Sequence, residues 1–131
     1  MMIASSFVQS SVIALVAILT ILTLFQIALA AGAPLGRFAW RGEHRILPTR
    51  LRVGSLAAVA IYSLIAVIAL DRANAVNLLP ELVSRVGMWV IFAYFALSIL
   101  LNSMSPSRLE RSAMVPASAL LAVLSLVVAL R

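Results

Sequence analysis

Few residues in this chain have the types and spacing for chemistry. Glu43 and His44 stand side by side, and an imidazole next to a carboxylate is the smallest unit that does general acid–base work. No nucleophile motif, paired acid or metal-spaced ligand set accompanies them, and Glu110 is far away in sequence. We therefore read His44 as a solvated loop residue and expect no enzyme, no metal and no cofactor. The absence of cysteine removes disulfides, thiolate metal sites and cysteine nucleophiles. The dense reactive charge is basic instead. All ten basic residues are arginine, against four acids, for a net charge of +6. Arg37, Arg41, Arg45, Arg50 and Arg52 share one stretch with Trp40, and Arg108 and Arg111 share another. Guanidinium groups at this density point to recognition of anionic phospholipid headgroups or another anionic ligand. A third set is neutral: Gln26, Tyr62, Ser63, Tyr94, Ser98 and Asn102 lie inside apolar runs, where they form either hydrogen-bonding seams or a small polar pocket.

The elements that hold these residues follow from hydropathy. Hydrophobic residues make up 64% of the chain and charged ones 11%, with a mean hydropathy of +1.16. A soluble domain of this length cannot bury so much apolar surface, so the bilayer is the expected solvent. The uncharged runs are each long enough for one crossing, which takes about 20 residues as a helix. They are too long for barrel strands, and in lipid each segment must satisfy its own backbone. The sequence predicts an all-α integral membrane four-helix bundle, a single domain over 1–131, with spans near 12–33, 52–70, 84–104 and 110–130 forming two consecutive transmembrane hairpins. Ala28, Leu29 and Ala30 make the small-x-small pattern that precedes cleavage of secretory leaders. The segment has no positive flank and is too long for such a leader, so we expect it to be retained as a helix. Because the basic residues lie between apolar runs, they read as topology and headgroup signals, and nucleic acid is not an expected partner.

Seven arginines fall in the first and third loops, and three (Arg72, Arg85 and Arg131) on the other side. The bias predicts that loops 1 and 3 are cytoplasmic and that both termini lie outside. The "GAPLG" run, Gly32 to Gly36, should end the first helix. Pro48, Pro80 and Pro106 should start the next three, with Ser107 and Glu110 at capping-box spacing. Pro116 falls inside the last span, where it removes a backbone bond to Ser112 and should kink the helix. Ala28, Gly32 and Gly36 form one expected small-residue stripe, and Ser118, Ala122, Ser125 and Ala129 another. Arg50, Arg52, Arg108 and Arg111 would sit at helix amino ends, where the macrodipole disfavours cations, so something else must hold them there. "PTRL" at Pro48–Leu51 and "PSRL" at Pro106–Leu109 read as one membrane-entry signal used twice, consistent with two equivalent hairpins.

The chain has the size of the small multidrug exporters, but it has no glutamate in the first span, on which those exporters depend. Its motifs resemble those of an uncharacterised family of small bacterial four-helix membrane proteins. The likeness rests on Gly32, Pro34 and Gly36, on Trp40 and Gly42, on Leu47, Pro48 and Arg52, and on Ser107, Glu110, Arg111 and Pro116. Arg41 departs from that pattern, which leads to glycine at this position. The resemblance implies an inner-membrane, multi-pass protein and assigns no activity. The residues favour a non-enzymatic module whose arginine-rich cytoplasmic face binds anionic lipid or a partner membrane protein, with a homo-oligomer as a further expectation. The alternative is an oligomeric channel or transporter for a small neutral or anionic solute passing Gln26, Tyr94 and Ser98.

Overall fold

The computed structural model describes residues 5–131. Four helices, α1 (Ser5–Ala30), α2 (Thr49–Arg72), α3 (Glu81–Ser103) and α4 (Arg108–Ala129), carry most of the chain, and no strand forms among the described residues. Each is long and apolar enough to cross a membrane. The shortest, of 22 residues, reaches about 33 Å at about 1.5 Å per residue. The helices pack in sequence order around one axis, α1 on α2, α2 on α3 and α3 on α4, and α4 closes the ring against α1. The first and third connections therefore share one end of the bundle, and the second connection shares the other with the carboxyl end of α4.

The core follows a heptad-like rhythm. Val8, Val12, Leu15 and Leu19 from α1 meet Ile65 and Ala69 from α2, Met88, Ile91 and Phe95 from α3, and Leu121 and Ala122 from α4. Such three- and four-residue steps keep one seam facing the axis. Ser11, Ser55, Ser84, Ser118 and Ser125 are buried as well, while Ile13, Ile21, Leu64, Val90 and Leu97 are exposed. Small hydroxyl residues inside and large aliphatic residues outside are the arrangement expected when lipid is the solvent. On α4 the Ser118, Ala122, Ser125 and Ala129 face is buried throughout, as its spacing predicts.

The helix ends differ from expectation in instructive ways. α1 stops at Ala30 rather than 33, because Gly32 takes φ +96° and closes a Schellman turn. In that turn Gly32 N–H donates to the Leu29 carbonyl (3.1 Å) and Ala33 N–H to the Ala28 carbonyl (2.9 Å). Gly36 consequently lies outside the helix, in a short 3-10 turn, and the Ala28, Gly32, Gly36 stripe does not exist as a helix face. The prolines act from just before each helix: Pro48 and Pro80 are the N-cap residues of α2 and α3, with ψ of 163° and 146°. In "PSRL" the N-cap is Ser107, so the two similar words meet their helices one residue out of step. α4 continues as one helix through Pro116.

Gly32 has a second constraint: a Cβ placed there would lie 3.0 Å from an Arg52 terminal nitrogen. Gly32→Ala should lower the unfolding free energy by about 1–2 kcal/mol from the left-handed backbone alone, read by denaturant titration in mixed micelles. Gly87→Ala, at ordinary helical φ, should cost less.

Candidate functional site

The arginine-rich end is built by a folded first connection. Two 3-10 turns, Gly36–Phe38 and Trp40–Gly42, are followed by an irregular segment that returns to start α2. Gly36 N–H donates to the Arg45 carbonyl (2.8 Å), which ties the two halves of the loop together. The Ser107 hydroxyl donates to the Arg37 carbonyl and also accepts from Glu110 N–H at 3.3 Å, so the N-cap of α4 holds loop 1. The reciprocal arm of the capping box is replaced, because Ser107 N–H goes to Ser105 Oγ (3.1 Å) and not to Glu110. Glu110 is buried.

Trp40 connects loop 1 to α2. Its indole N–H donates to the buried Ser55 hydroxyl (3.3 Å), and its six-membered ring lies where a Cβ on Gly54 would approach to 2.8 Å. The turn is left-handed over three residues, with φ of +51° at Trp40, +63° at Arg41 and +70° at Gly42. Glycine tolerates this conformation, whereas a side chain such as that of Arg41 is strained by it. Glu43 is exposed, and His44 has a buried Nε2 without a hydrogen-bond partner among the described residues.

The seven arginines of this end divide into two groups. Arg37 Nη1 donates to the Gly42 carbonyl (2.6 Å), Arg52 Nε to the Leu47 carbonyl (2.9 Å) and Arg111 Nη1 to the Ser105 carbonyl (2.6 Å). Arg52 also lies against Gly32 at the carboxyl end of α1, and Ser105 just follows the end of α3. Two cations are thus at the amino ends of their own helices and, at the same time, at the favourable carboxyl ends of neighbouring ones. That is what holds them, and no lipid is required for it. Arg41, Arg45, Arg50 and Arg108 are exposed and have no side-chain hydrogen bond among the described residues.

The neutral residues do not form one site. Gln26 and Tyr94 both lie against Tyr62, and Gln26 Oε1 is buried without a hydrogen-bond partner. Ser63 and Ser98 turn back onto their own helices, donating to the Val59 carbonyl (2.9 Å) and the Tyr94 carbonyl (2.8 Å). Asn102 instead crosses to α4, where its Nδ2 donates to Ser118 Oγ at 2.9 Å. Between α1, α4 and loop 1 runs an apolar groove of about 360 Å³, walled by Leu22, Phe25, Met114 and Ala117 and roofed by Leu35 and Phe38.

The opposite end holds a feature the sequence reading passed over. Asp71 Oδ2 accepts N–H bonds from Leu78 (2.7 Å) and Leu79 (2.9 Å), and Arg72 Nη2 donates to the Arg131 carbonyl (2.9 Å). One signal was available: an acid in the last turn of a helix opposes the macrodipole and so needs donors of its own.

Compared with protein-family models, curated proteins and solved structures, the chain matches none. The four-helix architecture is therefore read from its own helices, each long and apolar enough to cross a membrane.

The division of the arginines is directly measurable. Arg52→Gln and Arg111→Gln each remove a charge-assisted bond to a main-chain carbonyl and should cost about 1.5–3 kcal/mol of stability. Arg50→Gln and Arg108→Gln should stay within about 0.5 kcal/mol of the parent. Equal losses at all four positions would contradict the partition.

Proposed function

We propose that the protein is a non-enzymatic module of a bacterial inner membrane whose arginine-rich end faces the cytoplasm and binds anionic phospholipid. The observation that carries this reading is Arg41. It occupies a left-handed position, φ +63°, at a cost of about 1 kcal/mol relative to glycine, and it is exposed with no side-chain hydrogen bond among the described residues to offset that cost. Backbone strain of this kind is held by the surrounding turn, here by the bonds of Gly42 to Ala39 and Arg37, and it clusters at ligand-binding sites. Arg45, Arg50 and Arg108 are unpartnered at the same end, and each basic residue near an anionic surface contributes about 1 kcal/mol of attraction. The groove between α1 and α4 supports the same reading, since its apolar wall suits an acyl chain and Phe38 in its roof adjoins Arg37.

Passage of a solute along the axis of one copy has less support. Leu15, Leu19, Met88 and Leu121 are all at most 2% exposed and fill the centre, and Ser63, Ser98 and Asn102 are each taken up in separate hydrogen bonds. A catalytic role for Glu43 and His44 has no further group to draw on.

Reconstitution into nanodiscs of phosphatidylglycerol or phosphatidylcholine, followed by native mass spectrometry of retained lipid, tests the proposal. The parent protein should retain the anionic lipid preferentially. Arg41→Gly should weaken that preference about five-fold, the equivalent of about 1 kcal/mol, while raising the unfolding free energy by a similar amount. Replacing Arg41, Arg45, Arg50 and Arg108 together with glutamine should abolish it. Equal retention of both lipids by the parent protein would reject the reading.

A further inference from the structure

The end opposite the arginine-rich loops contains a polar cavity that neither the helix packing nor the lipid reading accounts for. It measures about 240 Å³ and is lined by Asp71 and Arg72 from the last turn of α2, Asn74 and Asn77 from the second connection, Glu81 from the first turn of α3, and Arg131. Pockets for drug-sized ligands run from about 300 Å³ upward, so this one suits a small polar molecule. Asp71 and Arg72 are only 7% and 8% exposed.

The bonding state of these groups indicates what the cavity lacks. Asp71 Oδ2 is occupied by the Leu78 and Leu79 N–H groups, and Arg72 Nη2 by the Arg131 carbonyl. Arg72 Nε is enclosed, whereas Arg72 Nη1 makes no hydrogen bond among the described residues and is not enclosed, so Nη1 is the Arg72 donor that the cavity can reach. The acceptor that suits a guanidinium donor best is an oxyanion. The exposed Arg131 adds a second guanidinium to the lining, and the exposed Glu81 adds a carboxylate that has no hydrogen bond among the described residues. A plain anion would satisfy the arginines and be repelled by Glu81 and Asp71, of which Glu81 is the exposed one. A molecule carrying both signs satisfies both.

We propose that this cavity binds a small zwitterion, with a phosphate or carboxylate accepting from Arg72 and Arg131 and an ammonium group facing Glu81. Phosphoethanolamine has this pattern, either as a free solute or as the headgroup of a lipid. The cavity lies where α2 ends and α3 begins, at the level of the bilayer surface, so both sources reach it. This site is independent of the anionic-lipid reading, which concerns the other end of the bundle.

The test uses the full chain in mild detergent and follows thermal unfolding at fixed ionic strength with O-phosphoethanolamine, inorganic phosphate or ethanolamine. A saturable rise in Tm with O-phosphoethanolamine, absent with either fragment at the same concentration, is the expected result. Arg131→Gln and Glu81→Gln change exposed side chains, so they should move the unliganded Tm only slightly, Glu81→Gln by the loss of its charge in the first turn of α3, while weakening the response about ten-fold or more, the scale of one charge-assisted hydrogen bond. Arg72→Gln should abolish the response; if that variant does not fold, the two exposed substitutions still decide. Displacement of the free probe by phosphatidylethanolamine nanodiscs, but not phosphatidylcholine nanodiscs, assigns the site to a lipid headgroup, and no displacement assigns it to a solute. The proposal is overturned by the absence of any saturable shift, by an equal shift with phosphate alone, or by an unaltered response in Glu81→Gln.

Discussion

A main-chain carbonyl that leaves a helix at the edge of a bilayer has no helical donor and limited access to water, and an unsatisfied group there costs several kcal/mol. In this protein that demand falls on the connections, and arginine meets it. The carbonyls of Gly42, Leu47, Ser105 and Arg131 each accept from a guanidinium, those of Arg37, Arg52, Arg111 and Arg72. Arginine suits the task because it keeps its charge, presents several donors in a plane and is less strongly hydrated than lysine. The loops that position Trp40 and the unpartnered arginines stand on these contacts.

The interior imposes a complementary constraint. With lipid as solvent, apolar side chains gain little by turning inward, so association relies on close packing and on hydrogen bonds between helices. The small face of α4, running from Ser118 to Ala129, lets α1 and α3 approach it. Asn102 reaches Ser118 across that contact. The tightly packed centre leaves the chemistry to the two ends, where connections and helix termini expose groups that lipid or solutes can reach.

Much of this architecture was legible in the residues. The four spans follow from uninterrupted apolar runs, the end of α1 from Gly32, and the small face of α4 from its spacing, because each depends on local sequence alone. The partners of the arginines were not legible, since every residue carries the same carbonyl and only the path of the loop decides which one faces a given side chain. For the same reason Arg52 and Arg111 looked like cations at unfavourable helix ends, when each also lies beside the carboxyl end of another helix. "PTRL" and "PSRL" misled in a different way. A one-residue shift in cap position rotates everything that follows by about 100° on a helix of 3.6 residues per turn, so identical letters face different neighbours. Among the polar neutral residues Gln26, Tyr62 and Tyr94 meet, while Ser63 and Ser98 turn back onto their own helices, and a place inside an apolar run does not decide which way a hydroxyl points.

The bond from Arg72 to the Arg131 carbonyl spans 59 positions of the chain, and this bears on the order in which the bundle can be completed. Until α4 has entered and its carboxyl end has arrived, Arg72 holds a cation with no carbonyl to receive it and no wall to bury it. The first hairpin is therefore a provisional structure, finished only when the carboxyl end of α4 has packed against it. A guanidinium at the bilayer surface is well tolerated there, so the first hairpin can wait with Arg72 outward, and closure of the bundle is the step that turns this charge from a surface group into a buried one.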